Sequence, residues 1–373
     1  MTSLLAVVFF LLWHSTPQIS WPLWSHYAET FVHEDGRVVD PDRDGLTTSE
    51  GQSYAMLFAL IANDPLRFDL IYRWTQDHLA ENSLKENLPA WSWGRKPDGT
   101  WGIKDSNSAS DADMWIAYDL IQAGRLWRHP DYTSTGEGLL KQIARREVAD
   151  VHGSPALLPG KTGFVHNGTV VLNPSYMPIF LLHAAARAQP AGPWIAMAAS
   201  LPSLLHKGSI AGFAADWLEV SPDGTVRPIP APDSNSTMAI GSYDAIRIYL
   251  WSGITSPGAS GRNAVLNELS GMAAYMRTHS GPPESVTDGQ SIITAAGPIS
   301  YSAALIPFLL ASQAPEAAAR QQRRLNSAWS SQTGLYGQPP RYYDQNLSMF
   351  TLGYLEHRYR IDNTGELEVS WQR

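Results

Sequence analysis

The sequence has no cysteine among its 373 residues. Disulfide bonds, thiolate metal ligands and cysteine nucleophiles are therefore excluded. Charged side chains are also sparse, at 17% of the chain, and the 35 acidic residues outnumber the 27 basic ones, which gives a formal net charge of −8. This acidic balance argues against nucleic acid as a partner, and it is compatible with a neutral substrate.

Long hydrophobic runs are absent as well. The one marked apolar run, LLAVVFFLLW at residues 4–13, is too short to span a bilayer as a helix. It fits the hydrophobic core of a secretory signal peptide, although no Lys or Arg precedes it. We therefore interpret residues 1–20 as a signal peptide or N-terminal anchor, and we predict a periplasmic or secreted protein. No linker divides the remainder, so residues 21–373 are predicted to form a single domain.

Aromatic side chains are the notable excess in the composition. The chain contains 14 Trp and 15 Tyr residues. Flat neutral sugars are commonly bound by aromatic faces, so this composition suits a glycan-binding cleft. Large helical cores also use Trp, and composition alone leaves both explanations open.

Helical periodicity gives twelve candidate helices in two strictly alternating groups. The first group carries more charge, and its members cover residues 21–33, 66–79, 135–148, 193–206, 263–277 and 315–328. The second group is more apolar and richer in small residues, and its members cover residues 50–64, 111–127, 175–189, 243–252, 300–312 and 345–359.

This alternation predicts a double ring of helices, because inner helices are buried on most sides and outer helices expose one polar face. Six inner and six outer helices make an all-α (α/α)6 barrel. Two stretches with turn signals and β-branched residues, 157–174 and 217–233, are predicted to form small β-hairpins on one rim.

Three carboxylates lie where inner helices should begin. They are Glu50 in TTSEGQSYAM, Asp111 in NSASDADMWIAYDL and Asp244 in GSYDAIRIYLW. The loops that lead into inner helices should converge on one face of such a barrel, so these residues could meet in one cleft. Two well-placed carboxylates are the minimum required to hydrolyse a glycosidic bond.

Helix capping is the alternative explanation for each acid taken singly. Thr47-x-x-Glu50 matches a capping box, and Ser110-x-x-Asp113 resembles one. Acids at a helix start are also stabilised by the helix dipole. Capping does not, however, require the small and aromatic residues that surround these acids.

A catalytic acid imposes a further electrostatic condition, since it must stay protonated near the working pH. If Glu50 is that acid, apolar walls and a nearby like charge must outweigh the helix dipole. Asp111 is the candidate neighbour, and Trp91 and Trp93 are the candidate walls.

Sequence motifs for metal or cofactor binding are absent or incomplete. The 11 His residues form no H-E-x-x-H or i, i+4 pair. The segment DPDRDG at 40–45 resembles a calcium loop but lacks the downstream Glu of an EF-hand. No phosphate-binding loop or dinucleotide fingerprint is present. We therefore predict no metal and no organic cofactor.

Several segments, in order, resemble glycoside hydrolase family 8, and within it the periplasmic endoglucanases that accompany bacterial cellulose synthases. They are SEGQSYAM, SLKENLPAWSWG, ASDADMWIAYDLIQAGRLW, LLPGKTGF, NPSYMP, SYDAIR and GPISYSAALIPF. The resemblance implies an (α/α)6 barrel and an inverting mechanism. It implies that Glu50 is the proton donor and Asp244 the general base. Asp111 would either hold the sugar at the cleavage point or act as a nucleophile.

The resemblance also implies substrate-binding roles for Tyr176 and Arg247. Trp91 and Tyr243 are predicted to stack on sugars, and Trp93 is predicted to bind substrate as a wall of the cleft. The predicted function is endo-β-1,4-glucanase activity on a cellulose chain, in bacterial cellulose synthesis or export, with the cellulose synthase complex as a candidate partner. The alternatives are hydrolysis of chitosan, xylan or mixed-linkage glucan, and a non-catalytic glucan-binding accessory.

Overall fold

The computed structural model describes residues 20–232, 234–287 and 292–372. The predicted signal peptide or anchor at residues 1–20 therefore lies outside the described residues, apart from Ser20. Within the described part of the chain, no helix combines the length and apolarity needed to cross a membrane.

Helices in two concentric rings form the body of the protein, as the sequence predicts. The inner helices are α2 (Ser49–Ile61), α4 (Ser110–Leu126), α6 (Ile179–Ala188), α8 (Ala245–Ile254), α11 (Ile299–Ala311) and α13 (Tyr342–Leu355). The outer helices are α1 (Pro22–Phe31), α3 (Pro65–Leu79), α5 (Pro130–Arg146), α7 (Trp194–Lys207), α9 (Arg262–Glu268), α10 (Ser270–Thr278) and α12 (Pro315–Ser327).

The inner ring closes on itself. Helix α2 contacts α4, α4 contacts α6, α8 contacts α11, α11 contacts α13, and α13 returns to α2. A 3₁₀ turn at Pro174–Tyr176 contacts both α4 and α8 and lies where α6 and α8 adjoin. Helices α2, α4, α6, α8 and α11 each pack against the outer helix that follows them in sequence, and α13 packs against α1 at the other end of the chain. The predicted (α/α)6 barrel is thus confirmed.

Burial follows the polarity contrast that the sequence shows. Helix α11 is apolar on every side and buries every residue from Ser300 to Leu309. Helix α12 has only four buried residues, and they recur on one face: Ala317, Ala318, Gln321 and Leu325. A single buried stripe is typical of an outer helix, and burial all round is typical of an inner one.

Several helix boundaries differ from their predicted positions, among them those of α13, which covers Tyr342–Leu355 and not 345–359. Helix α5 begins at Pro130 and not at 135, because Pro is suited to the first turn of a helix. Gly136 within this helix lets it approach α4 closely, since an added Cβ would lie only 2.8 Å from the Ala117 carbonyl oxygen. The predicted outer helix 263–277 is interrupted at Leu269. The predicted inner helix 175–189 starts only at Ile179, after the 3₁₀ turn and Pro178.

Short antiparallel strands decorate the barrel. Those of the first half are β1 (Thr47–Thr48), β2 (Ser92–Arg95), β3 (Trp101–Asp105), β4 (Val148–Val151), β5 (Ser154–Leu157), β6 (Val165–His166) and β7 (Thr169–Leu172). Those of the second half are β8 (Trp217–Val220), β9 (Val226–Ile229), β10 (Ile240–Gly241), β11 (Pro283–Thr287), β12 (Ile292–Ala296), β13 (Trp329–Ser330), β14 (Leu335–Tyr336), β15 (Tyr359–Ile361) and β16 (Leu367–Val369).

The two predicted hairpins join into one sheet. Strands β6 and β7 fall within 157–174, β8 and β9 fall within 217–233, and together they form the order β6-β7-β8-β9. The hairpin β2–β3 was not predicted, because glycine, proline and charged residues between and within its strands obscure the β pattern. Strand β2 also pairs with β1, so this hairpin is joined directly to the start of α2.

The connections between helices differ in length at the two ends of the barrel. Those from an outer helix to the next inner helix are long and carry β1 to β14; they cover residues 32–48, 80–109, 147–178, 208–244, 279–298 and 328–341. The returning connections are short; they cover residues 62–64, 127–129, 189–193, 255–261 and 312–314. We call the end with the long connections the catalytic face, because the three carboxylates begin inner helices there.

Gln52 attaches the first long connection to the barrel. Its side chain is fully buried; Oε1 accepts a hydrogen bond from the Val38 amide (2.6 Å), and Nε2 donates to Thr75 Oγ1 (2.9 Å) and to the Gly36 carbonyl (3.2 Å). The amide of Gln52 therefore fixes residues 36–38 beside the start of α2.

We expect Gln52→Leu to lower the free energy of unfolding by about 2 kcal/mol or more, because each buried polar group left unpaired costs about 1–3 kcal/mol. Urea unfolding measures this change. Gln322→Leu is the matched control, since its amide bonds Asn326 at the surface of α12, and surface substitutions cost about 0.5 kcal/mol or less. Equal losses in the two variants would contradict the anchoring role of Gln52.

Candidate active site

Three carboxylates meet around one buried guanidinium group. Arg247 on α8 contacts Glu50 and Asp111 through Nη1, the latter at 3.2 Å, and Asp244 through Nη2 at 2.6 Å. The Arg247 side chain is only 4% exposed, while Glu50 and Asp244 are 25% and 28% exposed. The three predicted carboxylates are thus brought together, with Asp111 deepest and the other two reaching open space.

The position of Arg247 is set from several directions. Ser175 Oγ accepts a hydrogen bond from Nη2 (3.1 Å), and the Tyr54 hydroxyl lies 3.5 Å from Nη1. The Tyr176 ring centroid lies 5.6 Å from the guanidinium carbon. The i, i+3 ion pair with Asp244 is therefore only one of several contacts that hold the Arg247 side chain. A fixed cation among three carboxylates offsets their mutual repulsion.

Capping does not explain the acids. Helix α2 is capped by Thr48, whose Oγ1 accepts from the Gly51 amide at 3.1 Å, so the predicted Thr47 register is displaced by one residue. At α4 the N-cap residue Ala109 supplies no side-chain cap, and Asp111 Oδ1 accepts from the Ala112 amide at 2.8 Å. At α8 the backbone amide of Ala245 donates to Asp216 Oδ1 (2.7 Å) and not to Asp244. Helix capping therefore does not account for Glu50 or Asp244, and it engages only one of the two oxygens of Asp111, since the other accepts from Arg247.

Burial changes the protonation of Asp111. Desolvation, followed by the negative charge of Glu50, raises the pKa of Asp111 to about 8, although Arg247 opposes the rise. The Asp111 carboxyl also hydrogen-bonds the carboxyl of Glu50. One proton between these two groups lowers their repulsion, so near neutral pH the site contains the protonated carboxyl that general acid catalysis needs.

Asp244 has a different protonation state. Burial raises its pKa to about 6, with Arg247 lowering it and Asp216 and Glu50 raising it. Asp244 is therefore mostly ionised at neutral pH, as a general base must be. The site thus combines a protonated and an ionised carboxyl at the same pH, which is the combination that acid–base hydrolysis of a glycosidic bond requires.

A second carboxyl pair lies close enough to Asp111 to interact with its charge. Asp113 and Glu147 are fully buried and hydrogen-bond each other. Burial raises the pKa of Glu147 to about 7 and that of Asp113 well above its usual range. Ser108 Oγ donates to Glu147 Oε1 at 2.5 Å and accepts from the Lys161 amide at 3.0 Å. Asp113 is therefore part of a buried network and not of the predicted capping box.

An open cavity of about 430 Å³ lies over the carboxylates on the catalytic face. This volume falls within the range of ligand pockets. The predicted site residues that line it are Glu50, Trp91, Asp111, Tyr176, Tyr243, Asp244 and Arg247. Trp91 and Tyr243 thus lie where a sugar ring could stack, while their contact with substrate stays a prediction.

Trp93 is placed differently from the other predicted site residues. It is not among the residues that line the cavity. Its ring packs edge-on against Trp74 (5.3 Å between centroids) and stacks on Trp101 (5.4 Å). The β2 backbone carries Trp93 into the hairpin, whereas Trp91 precedes the strand and faces the carboxylates. Trp93 is therefore not a wall of the cavity.

Sequence reasoning missed part of the cavity lining. Tyr342 and Tyr343 at the start of α13 line it, as do Asp40 and Arg43. The Tyr343 hydroxyl donates to the Tyr243 carbonyl at 2.6 Å. Polar and aromatic residues at the starts of inner helices were the signal for the acids, and the same rule applied to RYYDQN would have found both tyrosines.

The calcium-loop resemblance at 40–45 corresponds to a capped turn. Asp40 Oδ1 accepts from the Asp42 amide (3.0 Å) at the start of a 3₁₀ turn, Pro41–Arg43. Across residues 20–232, 234–287 and 292–372, no group of three or more His, Asp or Glu side chains is placed to hold a metal ion.

Comparisons with known proteins agree with this geometry. Residues 1–357 match Glycosyl hydrolases family 8. An endoglucanase of Xanthomonas axonopodis pv. citri (strain 306) is 42% identical over 354 residues, which cover 94% of this chain and 90% of that protein. An endoglucanase of Escherichia coli (strain K12) is 39% identical, with 94% and 92% covered.

A solved structure is similar over nearly the whole chain. The endo-1,4-D-glucanase from Vibrio fischeri ES114 has 35% sequence identity and a TM-score of 0.86, and the match covers 95% of this chain and 100% of that one. The family and relatives above 30% identity match most of the chain, and its three acids lie together in one cleft. This chain therefore belongs to glycosyl hydrolase family 8.

Proposed function

We propose that this glycoside hydrolase is an endo-acting β-1,4-glucanase that cleaves cellulose chains with inversion of the anomeric centre. The observation that carries the proposal is the set of three carboxyls around Arg247 at the base of an open cavity with aromatic walls. The relatives described as endoglucanases, at 42% and 39% identity, support endo-acting cleavage of a glucan.

The arrangement suggests a role for each carboxyl. Glu50 reaches the cavity beside Asp111 and would protonate the leaving glycosidic oxygen. Ionised Asp244 would accept a proton from the water that attacks the anomeric carbon. Asp111, only 6% exposed, would hold the sugar at the cleavage point and share its proton with Glu50. Arg247 would keep all three carboxyls in position through the cycle.

Reducing-end release from a panel of polymers tests the substrate. Amorphous cellulose should be cut, and chitosan, xylan and mixed-linkage glucan should be cut more slowly. Proton NMR of the first products should show the α-anomer, because a single displacement inverts a β-linkage. Cleavage of chitosan with inert cellulose would overturn the cellulose assignment, and initial β-anomer would overturn inversion.

The pH dependence of activity should be bell-shaped. We expect kcat/KM to fall as the pH drops below about 6, because protonated Asp244 cannot accept a proton from water. We expect it to fall again above about 8, because Asp111, which hydrogen-bonds Glu50, then loses its proton. Initial rates on a neutral soluble glucan across the pH range measure both limbs. A flat profile from about pH 4 to 9 would contradict these roles.

We further propose that the enzyme acts in the periplasm, or outside the cell, within a cellulose-export system. The support is the apolar run at residues 4–13 and the resemblance to endoglucanases that accompany cellulose synthases. Cell fractionation followed by activity measurement tests the location. Activity confined to the cytoplasmic fraction would overturn it.

A further inference from the structure

In the part of the chain that the structure describes, strongly exposed aromatic rings are confined to one end of the barrel. Among the described residues, three aromatic side chains are strongly exposed: Trp101 (49%), Tyr243 (50%) and Trp329 (44%). All three lie in long connections on the catalytic face. Tyr243 lines the cavity, whereas Trp101 does not. The cavity therefore does not explain why Trp101 is exposed at that face.

The Trp101 ring is held in place although it is half exposed. It stacks on Trp93 with 5.4 Å between centroids and 27° between planes, and Trp93 packs edge-on against Trp74. The guanidinium carbon of Arg37 lies 5.0 Å from the centroids of both Trp93 and Trp101. A ring braced in this way would lose little conformational freedom when it binds a flat partner.

The braced ring adjoins the cavity through the first long connection. Trp93 on β2 pairs with Thr47, three residues before Glu50. A Cβ added to Gly45 would lie 3.6 Å from the tip of the Trp101 ring. Arg43 and Leu46, on either side of Gly45 in the sequence, line the cavity. Trp101 thus lies just beyond the cavity margin formed by Arg43 and Leu46.

We propose that Trp101, braced by Trp93 and Arg37, is a distal platform on which a glucose unit of a long β-1,4-glucan chain stacks after the chain leaves the cavity past Arg43 and Leu46. The inference rests on the proposed glucanase function. Continuity with the cavity and the flat open ring select a glucan as the occupant, because the faces of β-1,4-linked glucose present C–H groups to an aromatic ring. Trp93 then serves the substrate indirectly, as a brace.

The test compares Trp101→Leu with Trp101→Tyr, because tyrosine keeps an aromatic face and leucine does not. Both are assayed on neutral amorphous cellulose and on soluble cello-oligosaccharides of increasing length. Neutral substrates are needed because the same hairpin carries Arg95, Lys96 and Lys104, which would attract an anionic polymer. Ile195→Ala, 59% exposed at the start of α7 and away from the catalytic face, is the surface control.

We expect Trp101→Leu to lower the ratio of kcat/KM on the polymer to kcat/KM on the shortest cleaved oligosaccharide by about three- to tenfold, the range of an aromatic contact. The loss should appear only above a threshold chain length and mainly in KM. Trp101→Tyr should recover most of the ratio, and Ile195→Ala should leave it unchanged.

A direct binding measurement accompanies the kinetics. In the Glu50→Gln background, adding Trp101→Leu should reduce the fraction of protein retained on amorphous cellulose by a similar factor. An unchanged ratio and unchanged retention would overturn the proposal, as would an equal loss at every oligosaccharide length, which would indicate damage to the cavity margin. A wild-type enzyme inactive on all these glucans would instead overturn the proposed function.

Discussion

Replacing Glu50 by glutamine should lower kcat on amorphous cellulose by at least about 10²–10⁴-fold, the usual contribution of general acid catalysis. Glutamine is nearly the same size and can still accept a hydrogen bond from Arg247. It cannot protonate the leaving oxygen, and it removes the charge that raises the pKa of Asp111. The comparison of reducing-end release by wild type and variant is the measurement.

The choice of leaving group separates loss of the acid from general damage. A glucoside with an acidic phenol as leaving group needs little protonation, so the deficit of Glu50→Gln should be much smaller on it than on cellulose. Glu29→Gln, on the exposed surface of α1 with a side chain 69% exposed, should behave as wild type. Equal activity of Glu50→Gln and wild type on cellulose would count against Glu50 as the acid.

The barrel could be predicted because its inner and outer helices differ in polarity along the whole chain. Inner helices such as α11 must be apolar on all sides, and outer helices such as α12 need only one buried stripe. The resulting alternation is local information, readable from the sequence. The break at Leu269 was not readable, since no proline marks that position.

The carboxylates could be found, but their surroundings could not. Local context and the family resemblance pointed to Glu50, Asp111 and Asp244. The capping of α8 by Asp216, 29 residues before Ala245, depends on how distant segments pack. The same holds for the pairing of Asp113 with Glu147. Long-range contacts of this kind leave no periodic signal in a single sequence.

Trp93 shows a limit of motif reasoning. Trp91 and Trp93 are two residues apart in one motif, so similar roles were predicted for both. The pairing of β2 with β1 and β3 begins at Ser92, between the two. Trp91 lines the cavity, and Trp93 packs into the hairpin beneath Trp101. The position of a strand's first residue decided the difference, and that boundary was not predicted.

Arg247→Gln should be the most disruptive single change in the site, affecting both stability and activity. Breaking a buried ion network by removing one partner costs about 3–5 kcal/mol, and here one cation faces Glu50, Asp111 and Asp244. Arg227→Gln is the matched control. Arg227 forms a 2.9 Å pair with Glu219 but is 62% exposed, so its loss should cost about 1 kcal/mol or less. Urea unfolding of both variants makes the comparison.

The pH dependence identifies the cause of the Arg247→Gln defect. Arg247 lowers the pKa of Asp111 and of Asp244, so both pKa values should rise further without it. Carboxyls with raised folded-state pKa values destabilise the fold as the pH rises above their unfolded values near 4. The stability deficit should therefore grow from pH 4 to pH 8, and the acidic limb of residual activity should move above about 6. A deficit independent of pH would mean that Arg247 acts through packing alone, because a lost cation must be felt most when the three carboxyls are ionised.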